Sequence, residues 1–137
     1  MKSCKKILSG EKGTSAVEFA IILPILVMLV FGIFEFGLAF NNYIALTHAA
    51  REGARLAAVA LHEENHSLFE QKVRDSAPTV QIVDPIIVEN PEGIIIGKPV
   101  VVTVTGEIFS IEIPMAGQWG PIQLTSTATM RRERAVP

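Results

Sequence analysis

AVEFAIILPILVMLVFGIFEFGLAF, residues 16–40, decides the architecture of this chain. At ~1.5 Å rise per residue, these ~25 residues extend roughly 37 Å as a helix, enough to cross a ~30 Å hydrocarbon core with some tilt. Glu18 near the start and Glu35 towards the end are its only charges, and residues 19–34 carry none. A helix in water keeps one polar face. This one is apolar all round, so lipid is its natural solvent. Ahead of it stand Lys2, Lys5, Lys6 and Lys12 against a single Glu11. The positive-inside rule therefore predicts a single-pass membrane protein with its amino end in the cytoplasm and everything after Phe40 exported.

A chain of 137 residues leaves room for one modest domain beyond the span. The formal net charge is -2, and the basic residues form no stripe away from the two ends, which excludes a nucleic-acid partner. The one cysteine, Cys4, precedes the span on the reducing side, so the exported part has no disulfide framework. Cys4 is not a lipoprotein cysteine either, because the apolar run follows it. A cleaved secretory signal has an apolar core of ~7–15 residues and a small-x-small site after it. The present run is longer, and residues 36–40 offer no such site, so the span is predicted to be retained.

The junction of leader and span carries the sharpest motif: Gly13, Thr14, Ser15, Ala16, Val17, Glu18, Phe19. Were the chain cut after Gly13, the new α-amine of Thr14 would lie four residues before Glu18, on the same helix face. A carboxylate costs ~2.5–3.5 kcal/mol at the centre of a membrane helix and less near its edge. An amine with a pKa of ~7.7–8 is a fitting counter-ion, in the same chain or a neighbouring copy. Snorkelling of Glu18 to the headgroups is the alternative.

GTSAVEFAIILPILVMLVFGIFEFG, followed by NNYIALTHAAREGARLAA, resembles the TadE-like family, pilin-related proteins of tight-adherence (Flp, type IVb) pilus systems. The shared pattern is a glycine, four residues, Glu-Phe, an apolar run with one proline, a Glu-Phe-Gly segment and an AAREGAR box. VVVTVTGEIF and LTSTATMRRE near the end resemble the family's closing strands. The resemblance implies a minor pseudopilin of the bacterial inner membrane, with its carboxy-terminal domain periplasmic or extracellular. It implies cleavage after Gly13 by a prepilin peptidase that recognises Gly13, Thr14, Glu18 and Phe19. Other pilin-like subunits and the assembly machinery are the implied partners, with association through the amino-terminal helix. Within that helix Pro24 removes a backbone donor and should bend the first half. Glu35 reads as a carboxylate near the outer interface or as a polar contact to another membrane helix.

Beyond the span, Ala45, Leu46, Ala49, Ala50, Ala54, Ala57, Ala58 and Leu61 recur at helical spacing, predicting a continuous helix over 14–61 with an alanine stripe that packs closely. Gly53, costing ~1 kcal/mol relative to alanine, predicts a close backbone approach. A second helix is expected over 67–77, capped by Ser67 and stopped before Pro78, with Leu68, Phe69 and Val73 as its apolar side. Residues 80–88, broken by Asp84-Pro85, predict two short or bent edge pieces, and Asn90-Pro91-Glu92-Gly93 a turn. Residues 99–106 are the clearest strand, 107–113 continue the β pattern, 114–121 read as a loop anchored by Trp119, and 122–132 as an outer strand.

His62-Glu63-Glu64-Asn65-His66 spells the H-E-x-x-H zinc-protease signature. On one helix it would set both imidazoles on one face with Glu63 as general base. Only Glu89 offers a distant third ligand, nothing fixes it nearby, and the scaffold is small, so no metal or cofactor is expected. The predicted fold is α+β and pilin-like: a leader (1–13), a transmembrane helix with its extension (14–61), and an exported domain (62–137) whose small antiparallel sheet packs on that extension. The predicted function is pilus assembly, without enzymatic activity. Its rivals are an unprocessed, signal-anchored adaptor of an envelope or secretion complex and, more remotely, a tethered zinc protein using His62 and His66.

Overall fold

A computed structural model describes residues 11–134. The expectations placed on Cys4 and the lysines up to Lys6 lie outside the described residues. One helix dominates: α1, Glu11–Ala58, 48 residues without interruption through Pro24. Two short helices follow, α2 (Leu61–Glu64) and α3 (His66–Asp75), then five strands: β1 (Ile82–Glu89), β2 (Pro99–Gly106), β3 (Phe109–Ile113), β4 (Gly117–Ile122) and β5 (Thr125–Arg131). The expected α+β arrangement, a long apolar helix whose extension packs on antiparallel strands, is what the chain adopts.

The strands form two sheets: a three-stranded one in the order β1-β2-β5, and a separate β3-β4 hairpin. β2 is central and alternates strictly, with Val100, Val102 and Val104 fully buried. Its other face is half-exposed, where the Thr103 and Thr127 hydroxyls share a hydrogen bond at 3.0 Å. Period-two alternation of this kind fits a sheet with one face in the core and one in water. The core face meets the alanine stripe of α1, where Leu46, Ala49, Ala50, Ala54 and Ala57 are all completely buried. Small side chains let the helix sit close. A Cβ on Gly53 would lie 2.9 Å from Val102 Cγ1 and 3.3 Å from Val73 Cγ2, so the close approach expected at this glycine is real. α3 closes the other flank with Phe69 and Val73, both fully buried.

Several boundaries differ from the sequence reading. α1 stops at Ala58 rather than 61, because Ala60 adopts a left-handed conformation (φ 66°) that ends the regular turn. The Ala58 carbonyl, left without an intrahelical partner, accepts from the Glu133 and Arg134 amides of the tail. α3 begins at His66, capped by Asn65, whose side-chain oxygen accepts from the Leu68 amide at 3.0 Å; Ser67 is not the cap. β1 is one edge strand carrying an irregularity between Val83 and Ile87, not two pieces.

The largest difference is β4. Residues expected to form a loop pair with β3, with Ile111 opposite Trp119 and Glu112 opposite Gln118. Glycine and proline signalled a loop, but here they serve the ladder. A Cβ on Gly120 (φ 146°) would lie 3.1 Å from the Ser110 Cα, so only glycine allows the two backbones this close. Trp119 does not anchor a loop on the core. It is 64% exposed.

Candidate functional site

The feature that sets this molecule apart is the amino-terminal half of α1. From Val17 to Tyr43 most of its large apolar side chains stand in the open, with Phe19 60% and Ile33 67% exposed. From Leu46 onward the same helix is a core element. Nothing in the helix backbone marks the change. It lies in the side chains, which go from apolar on every face to apolar on one stripe. Gly13–Ala58 is long and apolar enough to cross a membrane. Exposed Leu, Ile and Phe over some 25 residues would aggregate in water, so the bare half is explained by lipid or by packed helices of other copies.

Gly13, Thr14, Glu18 and Phe19 all lie on exposed turns of α1. Thr14 and Glu18, one turn apart, share a helix face. A Cβ at Gly13, Gly32 or Gly37 would meet nothing within 4 Å. Among the described residues, then, no packing demands glycine at these three helical positions, although each costs ~1 kcal/mol against alanine. Pro24 is half-buried inside the unbroken helix. Glu35, also half-buried, faces a groove of about 460 Å³ shared with Phe31, Glu112, Ile113, Pro114, Gly117 and Gln118. The β3-β4 hairpin therefore reaches back along α1 to the carboxy-terminal end of the apolar stretch.

His62 and His66 come together, but not as the signature requires. Asn65, with φ -151° and ψ 88°, breaks the backbone between them, so His62 lies on α2 and His66 opens α3. Their rings meet edge to face at 4.8 Å, and His62 packs on Phe69 at 5.0 Å. Burial holds the His62 imidazole below its ordinary pKa, against the opposing pull of Glu63. Glu63, the would-be general base, is tied instead to Arg132: Arg132 Nη2 donates to Glu63 Oε1 at 2.7 Å and to Asn90 Oδ1 at 2.8 Å. The Arg132 side chain is only 1% exposed. No group of three or more His, Cys, Asp or Glu placed to hold a metal occurs among the described residues, so Glu89 completes no set. These letters form a structural knot between α2, the end of β1 and the tail. Sequence reading placed Arg132 at the end of the 122–132 strand, and no spacing there signals a partner 69 residues earlier.

Residues 13–55 match the family model described as TadE-like protein. Over that stretch the chain is similar to the TadE-like family. The match runs from Gly13, through the bare half of α1, to Arg55 in the buried half. Neither the curated proteins nor the solved structures yield a match to the chain. The TadE-like segment thus coincides with the helix that joins the apolar stretch to the packed core, and the expected family resemblance is present there.

Proposed function

We propose that the protein is a minor pseudopilin-like subunit of a tight-adherence (Flp, type IVb) pilus assembly system. One observation carries this reading: the TadE-like segment is a single helix, bare and apolar in its first half and core-forming in its second. Such a helix can be held in a bilayer and can also be exchanged into a bundle of identical helices, since van der Waals packing replaces lipid contact at little cost. In this reading residues 14–40 anchor the subunit in the bacterial inner membrane with the amino end cytoplasmic, and residues 62–137 are exported. A prepilin peptidase cuts after Gly13, recognising Thr14, Glu18 and Phe19. Glu18 and Glu35 are polar contacts for assembly, and the bend expected at Pro24 shapes the packed helices. Its partners are other pilin-like subunits and the assembly machinery, and the role is not enzymatic.

A second reading, an unprocessed signal-anchored adaptor, is favoured by one feature: α1 already starts at Glu11, so the Gly13–Thr14 bond lies inside a helix. A protease needs that turn unwound. Intact-mass measurement on protein from the membranes of its own host separates the two. A mature chain beginning at Thr14 is expected, and retention of Met1 in a peptidase-positive host would overturn the pseudopilin reading.

A further inference from the structure

We propose that the β3-β4 hairpin is a second membrane contact, its tip resting in the outer interface of the bilayer beside α1. The observation is one of level. The groove that holds Phe31 and Glu35 of the span is walled on its other side by Glu112, Ile113, Pro114, Gly117 and Gln118 of the hairpin. Along α1, at ~1.5 Å per residue, Phe31 lies roughly 13 Å and Glu35 roughly 7 Å short of Phe40. The apolar stretch of roughly 37 Å exceeds a ~30 Å hydrocarbon core by about 7 Å. Even if all of that excess projects outward, Glu35 stands at the hydrocarbon boundary and Phe31 roughly 6 Å within it. With that projection a hairpin tip at the same height is at the interface, and a smaller outward excess or more tilt sets it deeper.

The composition of the tip fits that place. From Ile113 to Met130 no side chain is charged. Met115 at the turn is 76% exposed and Trp119 64%, two large apolar side chains with no internal packing to explain them. Tryptophan, with an apolar body and one N–H donor, is enriched at the headgroup level of membranes. Glu112 and Gln118, facing Glu35 across the groove, give the hairpin a polar margin where the interface ends. The backbone groups along the hairpin's pairing edge are satisfied in the ladder, which lowers the cost of leaving water. The inference rests on α1 as a bilayer span and not on the pilus reading.

Trp119 is the chain's one tryptophan, so it reports on itself. The full-length protein is placed in nanodiscs, one copy per disc, whose phospholipids carry bromine on the acyl chain close to the headgroup. The expected result is blue-shifted emission, a roughly twofold or greater loss of intensity against non-brominated discs, and protection from aqueous iodide. Met115→Asp, a substitution that the left-handed turn (φ 67°) tolerates, should reduce bromine quenching and restore iodide access with far-UV circular dichroism unchanged. Iodide-accessible, bromine-insensitive emission from discs that contain the protein overturns the proposal. So does a blue shift that appears only when several copies share a disc, since the hairpin then packs on another subunit. Failure of the protein to enter discs at all overturns the span itself, an outcome distinct from both.

Discussion

Gly53→Ala sets two well-defined effects against each other. In an isolated helix alanine is favoured over glycine by ~1 kcal/mol, so propensity alone predicts a more stable protein. The tertiary structure predicts the reverse. The new Cβ would stand 2.9 Å from Val102 Cγ1 and 3.3 Å from Val73 Cγ2. Carbon atoms rest at about 3.5–4.0 Å, so the first contact must open by roughly 0.6 Å or more. Val102 sits fully buried on the central strand β2 and is β-branched, hence stiff at χ1. Val73 blocks the other direction from α3. Relief therefore requires moving α1 off the sheet, and overpacking of this kind costs ~1–3 kcal/mol. The expected balance is a net loss of about 1 kcal/mol, roughly fivefold in the unfolding equilibrium constant. Urea unfolding of the full chain in detergent micelles, followed by circular dichroism, reads it. A second variant makes the test specific: with Val102→Ala in place, Gly53→Ala should become neutral or stabilising, a strong non-additivity between contacting sites. Stabilisation by Gly53→Ala alone, or simple additivity with Val102→Ala, would refute the reasoning.

Arg132 is buried and Glu63 half-buried, so Arg132→Met, which leaves the Glu63 carboxylate without its partner, should cost about 1–3 kcal/mol. The double variant Arg132→Met with Glu63→Leu should recover most of that loss in the same unfolding assay. His62 has its folded pKa lowered by burial, so the unfolded state binds the proton more tightly. Its contribution is complete above the unfolded value of about 6.5 and is lost as pH falls from there through the lower folded value. His62→Gln should flatten the stability profile in that window, a result checked by unfolding at graded pH. Glu18→Ala removes a carboxylate from the amino-terminal edge of the apolar stretch, so membrane content should hold or rise. If Glu18 pairs with the Thr14 amine of a neighbouring subunit, crosslinking between subunits in native membranes should fall at matched expression. Unchanged crosslinking with correct processing would leave Glu18 as a boundary residue.

The sequence by itself determined the span, the alanine stripe and the central strand, because each is a local repeat. A lipid-facing helix must be apolar at every position, a core-facing helix at every third or fourth, and a half-buried strand at every second. Those periods are visible without knowing what lies opposite. Gly53 was legible for the same reason, as a helix breaker inside a strong helical pattern. Tertiary structure decided what depends on a partner far along the chain. Gly117, Gly120 and Pro121 are loop residues by local preference, and only pairing with β3 turns them into a strand. Trp119 and Met115 are exposed because that hairpin reaches down the helix instead of folding onto the core. His62 and His66 carry the letters of a metal site, but Asn65 breaks the helix that would align them. Glu63 meets Arg132, 69 residues away, in a half-buried contact that no spacing announces. A charge leaves water only when its counter-ion is already in place, and that condition is met by the folded chain alone.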